Sequence, residues 1–215
     1  MRYLIAILLL IGLQGHAQDP SRFSGEVQEL RAKYDTIWDS HRETIVFTGS
    51  SSIRFWKNLP ELFPVQQIVN TGFGGSQTSD LIAYSDDLIL RFKPIQVFIY
   101  EGDNDIGDAK RPRQILKDFR VLIQKIRAAD PDVGIVLIAA KPSLARWHLK
   151  RKYRNLNRKL KRLCRKDKSL EFADVWDIML KDRRNLRNDI FIEDGLHMNQ
   201  KGYALWYNLI KNYIN

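Results

Sequence analysis

Residues 44–52 read Thr44-Ile45-Val46-Phe47-Thr48-Gly49-Ser50-Ser51-Ser52, an apolar run long enough for one strand, ended by a glycine and three serines. The run is continuous rather than alternating, which is the pattern of a strand covered on both faces. Two more segments repeat the arrangement. Residues 67–70 lead into Thr71-Gly72-Phe73-Gly74-Gly75, and residues 95–100 lead into Glu101-Gly102-Asp103-Asn104-Asp105. Runs at 134–140 and 170–173 bring the strand candidates to five. Helical periodicity occupies the intervals, at 24–39, 78–91, 113–129, 144–166 and 199–213. Strands alternating with helices predict an α/β domain, a parallel sheet between two helical layers. Ligands of such folds bind beyond the carboxyl ends of the strands, the edge to which all three motifs are delivered.

At 215 residues, with 44% hydrophobic and 28% charged side chains, the chain has room for one ordinary globular domain. Its single cysteine, Cys164, excludes an internal disulfide framework and a cysteine-based zinc cluster. Met1-Arg2 followed by an apolar run from Tyr3 to Leu13 and by Gly15-His16-Ala17 reads as a secretory signal peptide over residues 1–17. The run is about half of the ~20 residues that a membrane span needs. The expectation is an exported protein, periplasmic or secreted, whose one domain covers residues 18–215.

The motifs suggest acyl chemistry. A serine becomes a useful nucleophile when a histidine removes its proton and a carboxylate orients that histidine. Three adjacent serines, Ser50 to Ser52, offer the hydroxyl. Asp194-Gly195-Leu196-His197 sets an Asp three residues before a His, close enough to reach Nδ1 and leave Nε2 for the serine. Gly75 offers an unobstructed backbone N–H and Asn104 a side-chain amide, the donors an oxyanion hole requires.

Taken in order, these blocks resemble the SGNH, or GDSL-type, hydrolases, and the resemblance runs from Val46 through Trp206. It implies Ser51 as nucleophile, with Ser50 standing where many members carry aspartate. It implies Ser51 N–H, Gly75 and Asn104 as the oxyanion hole, and Asp194 and His197 as the other catalytic residues. It also implies a flavodoxin-like three-layer α/β/α sandwich with about five parallel strands, and a serine esterase that needs no cofactor. A short acyl group, acetyl above all, on a carbohydrate is the expected substrate. A lysophospholipase or other lipid esterase is the alternative, and a catalytically inactive carbohydrate-binding member is the non-enzyme one. Trp147, near the end of the fourth strand, is a candidate platform for a sugar ring.

Other readings fail on spacing. Counted from Asp103 as a calcium loop, position six is Asp108 and position twelve Gln114, where an EF-hand needs glycine and glutamate, so no metal is expected. Gly72-Phe73-Gly74-Gly75 lacks dinucleotide phasing. Residues 141–168 hold thirteen Lys and Arg against one Asp, on a helical pattern with an apolar stripe at Leu149, Tyr153, Leu156, Leu160 and Leu163. The expectation is a docked helix with a charged solvent face, available through residues 146–168 for peripheral contact with an anionic polymer or membrane. A nucleic-acid partner is not expected, because it leaves the ordered serine, glycine, asparagine and histidine blocks without a role.

Overall fold

The computed structural model describes residues 19–182 and 185–214. The segment read as a signal peptide, residues 1–17, lies outside them. Among the described residues eight α-helices, α1 (Ser24–Ile37), α2 (Ser51–Arg54), α3 (Thr78–Ala83), α4 (Ser85–Leu88), α5 (Asp103–Gly107), α6 (Pro112–Ala129), α7 (Lys150–Lys166) and α8 (Gln200–Ile210), surround one sheet. Its strands are β1 (Thr44–Gly49), β2 (Gln67–Gly72), β3 (Gln96–Tyr100), β4 (Gly134–Ile138) and β5 (Leu170–Ala173). All pairings are parallel, in the order β2-β1-β3-β4-β5. This is the α/β sandwich that the alternating pattern predicts.

Side chains alternate across the strands and build a core on each face. Val46, Val69, Val97, Ile99, Ile135 and Leu137 meet α1, α6 and α7. Ile45, Phe47, Ile68, Phe98, Val136 and Ile138 face the other way, toward Ile53, Trp56, Trp206 and Ile210. On that second face Phe47 and Phe98 stack with ring centroids 4.2 Å apart. Burying a Phe side chain contributes about 1.5–3 kcal/mol, so these cross-strand rings fix how β1 and β3 lie together.

Two helical expectations change. The pattern at 78–91 breaks into α3, α4 and a 3-10 turn (Leu90–Phe92), because Tyr84 leaves helical geometry and its hydroxyl donates to Pro20 O at 3.0 Å. The pattern at 144–166 becomes helical only from Trp147, as a 3-10 turn, and α-helical from Lys150. Residues 144–146 are held by the site below instead.

The chain leaves β1 for β2 on one side and then crosses to β3 on the other. A crevice therefore opens at the carboxyl ends of β1 and β3, the topological switch point where open α/β sheets bind ligands.

Candidate active site

The end of β1 cannot tolerate a side chain. A Cβ on Gly49 would stand 1.9 Å from Tyr100 O, and its φ is +120°. The close approach lets Ser50 N–H donate to Tyr100 O at 3.0 Å, after which the chain turns directly into α2. Of the three serines, Ser50 and Ser52 are buried at 2% exposure and Ser51 is half-buried. Ser51 opens α2, so its N–H is one of the helix's unpaired first amides.

Ser51 Oγ lies 2.8 Å from His197 Nε2. His197 Nδ1 lies 2.5 Å from Asp194 Oδ2, and Asp194 Oδ1 accepts the backbone N–H groups of Leu196 and His197, each at 2.8 Å. Gly195, at φ +61°, closes this turn. Partial burial pushes the Asp194 carboxyl upward, but the bonds from the His197 ring and the two amides outweigh it and hold the group below the usual carboxylate range. Phe55 meets the His197 ring edge-on, with centroids 4.8 Å apart. Beside them opens a groove of about 660 Å³ with Phe55, Leu62, Met198, Tyr203 and Tyr207 in its walls.

Gly75 is exposed at φ +72°, with open space where a Cβ would stand. The left-handed backbone, rather than crowding, is what asks for glycine here. Asn104 is pinned from both ends. Its Nδ2 donates to Ser50 Oγ at 2.7 Å and to Ser76 O at 2.9 Å, while its Oδ1 accepts from the Arg146 guanidinium at 3.1 and 3.2 Å. Ser50, which stands where many members of the family that the sequence resembles carry aspartate, thus touches Asn104 directly.

Beneath Asn104 is a buried charge cluster. Asp103 accepts from Arg146 (2.6 Å), Lys141 (3.3 Å), Tyr100 (2.9 Å) and Tyr153 (2.5 Å). Lys141, fully buried, also donates to Leu196 O at 2.7 Å, next to His197. Burial pushes the Asp103 carboxyl up, yet Lys141 and Arg146 prevail and hold it well below its ordinary range. Glu101 is also buried, but among the described residues no cation pairs with it. Burial first, then the charge of Asp105, drive it well above the usual range, against a bond from Ser76 Oγ at 2.7 Å. No motif in the sequence marks Lys141, Arg146 or Asp103 as part of the site. The first two read as members of the basic segment, although they follow β4 on the same sheet edge as the other motifs.

Trp147 stands among different contacts. It stacks on Trp176 at 6.1 Å and Lys150 lies over its ring at 4.6 Å, so a packing role occupies it. Instead, Leu144 and Ala145 reach the Asp194 turn, with Ala145 N–H donating to Gly195 O at 3.0 Å. His41 and His148 are exposed. Among the described residues no three His, Cys, Asp or Glu side chains are placed to share a metal ion. Burial pushes the Cys164 thiol up to about 12, which leaves it unreactive.

Comparison with known proteins bears on the family and the fold. Residues 35–205 match the sequence model of the GDSL-like Lipase/Acylhydrolase family. The fold superposes on a GDSL-like lipase of Bacteroides thetaiotaomicron with a TM-score of 0.72 at 18% identity, covering 91% of this chain and 96% of that one. It also superposes on a catalytic mutant of an acetylxylan esterase from Geobacillus stearothermophilus, with a TM-score of 0.66 at 17% identity, covering 79% and 93%. At these identities the likeness is one of fold. Over 195 residues the chain is 28% identical to the N-acylneuraminate cytidylyltransferase of Escherichia coli, which covers 86% of this chain and 42% of that protein. The chain thus spans less than half the length of that relative.

Proposed function

The chain belongs to the GDSL-like lipase/acylhydrolase family, and from that premise we propose that it hydrolyses carboxylic esters through an acyl-enzyme on Ser51. The observation that carries the reading is the relay from Ser51 Oγ to His197 Nε2 at 2.8 Å and from His197 Nδ1 to Asp194 at 2.5 Å. Ser51 Oγ attacks the ester carbonyl as its proton passes to His197. Asp194 keeps the Nδ1 proton in place and stabilises the imidazolium that forms. The carbonyl oxygen, now negative, draws on Ser51 N–H, Gly75 N–H and the Asn104 hydrogen directed in the resting site at Ser50. Collapse of the tetrahedral adduct breaks the bond to the alcohol, which takes the proton from His197. Water repeats the sequence and releases the acid.

The substrate we favour is a short acyl group, acetyl above all, on a carbohydrate met outside the cell after removal of residues 1–17. Two observations support the carbohydrate. The groove beside His197 has aromatic walls suited to sugar rings, and one protein of similar fold is an acetylxylan esterase. The lipid-ester reading draws on another observation: Phe55, Leu144 and Ile192, each bonded or packed to the His197 turn, are exposed at 39%, 40% and 48%. Among the described residues no helix is long and apolar enough to cross a membrane.

A p-nitrophenyl ester series separates the two. kcat/KM should peak between acetate and butyrate, and a steady rise to octanoate would favour lipid. Fluorophosphonate labelling should map to Ser51, and a label on Ser50 or Ser52 would refute the assigned nucleophile. Amino-terminal sequencing of the exported protein should begin at Gln18.

A further inference from the structure

We infer that the solvent face of α7 is a docking track for an anionic polysaccharide, the polymer whose esters the neighbouring site cleaves. The inference rests on the esterase reading for its second half only. α7 carries ten Lys and Arg and no acid. The whole chain has thirty-five cations and twenty-five acids, so everything outside this helix is balanced at twenty-five of each. The net charge of the protein is the charge of one helix.

The cations are also ordered. Lys150, Arg154, Arg158, Arg162 and Lys166 recur at every fourth residue, all exposed. On an α-helix that spacing makes a row with neighbours about 6 Å apart and a length of about 24 Å. None of the five meets a carboxylate among the described residues; the helix's ion pair is Lys161 with Asp174. Like charges at i,i+4 oppose a helix, as do cations in its first turn, where Lys150, Arg151 and Lys152 stand against the helix dipole. The helix forms because Tyr153, Leu156, Leu160 and Cys164 are buried in the core. Stability therefore does not account for the charge, and a row of one sign fits a repeating anion.

The track leads to the site. Tyr153, in the first turn of α7, donates to Asp103, and Arg146, one turn before Lys150, holds Asn104. A membrane fits poorly, because an interfacial helix buries an apolar face in lipid and the apolar face of α7 is already inside the protein. The large exposed apolar side chains all lie on other segments. A nucleic acid would fit the charge but carries no carboxylic ester.

The test uses the full chain and the triple variant Arg158→Glu/Arg162→Glu/Lys166→Glu, whose sites lie away from the catalytic end. Titration calorimetry with de-esterified polygalacturonate at low salt should detect binding that weakens at least ~10-fold in the variant, and similarly for wild type in about 0.5 M NaCl. Absence of binding, or binding indifferent to the variant, overturns the track. In parallel, kcat/KM on acetylated polygalacturonate and on a neutral acetylated mannan is divided by each preparation's own turnover of p-nitrophenyl acetate. The wild-type preference for the anionic polymer should collapse in the variant. Failure to turn over any ester defeats the esterase reading and leaves the calorimetric result standing on its own. Co-sedimentation with phosphatidylglycerol vesicles but not with the polymer would assign the face to membranes and overturn the proposal.

Discussion

Glu101 and Asp103 leave the carboxyl end of β3 two residues apart, both shut away from water, and end in opposite states. Glu101 is met by a hydroxyl and by other acids, so burial drives it toward the neutral form. Asp103 is met by Lys141 and Arg146, and remains charged despite its burial. Burial sets the scale of each effect; the cations delivered by the end of β4 set its direction. Both carboxyls serve one amide. Through Ser76, Glu101 supports the carbonyl that takes one Asn104 hydrogen, while Arg146 bridges Asp103 to the Asn104 oxygen.

The largest effect should come where neither side is disturbed. Ser51→Ala should cost at least ~10³-fold in kcat, with thermal unfolding unchanged, separating the chemistry from its supports. Next is the charged side. Asp103→Asn leaves Lys141 buried without its counter-charge, and chemical denaturation should register a loss of about 3–5 kcal/mol, as when one member of a buried pair is removed. Asn104→Ala tests the group both sides hold, and should lose ~10²–10³ in kcat with little change in KM. A change in KM alone would make it a ground-state binding residue.

The smallest effect, and the finest test, is on the neutral side. Glu101→Gln keeps the outline of the protonated acid, and at pH 4 its stability should stay within about 1 kcal/mol of wild type. The contrast with Asp103 then appears in pH dependence. A depressed carboxyl gives Asp103 stability present above its unfolded pKa near ~4 and lost on acidification. A raised carboxyl gives Glu101 the reverse: the fold is unpenalised below its unfolded pKa near ~4.3 and loses stability as pH rises toward the folded value. Melting curves from pH 4 to 8 should therefore show Glu101→Gln gaining on wild type as pH increases. Parallel curves would mean that Glu101 is not held neutral.

The same contrast explains what the sequence discloses. Strands are legible because residues such as Val46 and Phe47 are covered from opposite faces, so the centre of the run is continuously apolar rather than alternating. Ser51, Gly75, Asn104, Asp194 and His197 are legible because each sits in a short motif at a strand end or turn. The supports are not. Nothing local distinguishes Lys141 and Arg146 from the eleven other cations of residues 141–168, since their burial depends on contacts with Asp103, thirty-eight and forty-three residues away. The break at Tyr84 is hidden for the same reason, its partner Pro20 being sixty-four residues distant.

The distance between Ser51 and His197 has a consequence for synthesis. They are 146 residues apart, and all five strands are made before the histidine. At about 5–20 residues per second, a ribosome adds that interval in about 7–30 s. Throughout it the nascent chain exposes a serine that has no base. Under the proposed mechanism, ester cleavage needs His197 docked against Ser51, so a chain stopped short of that turn should be inert.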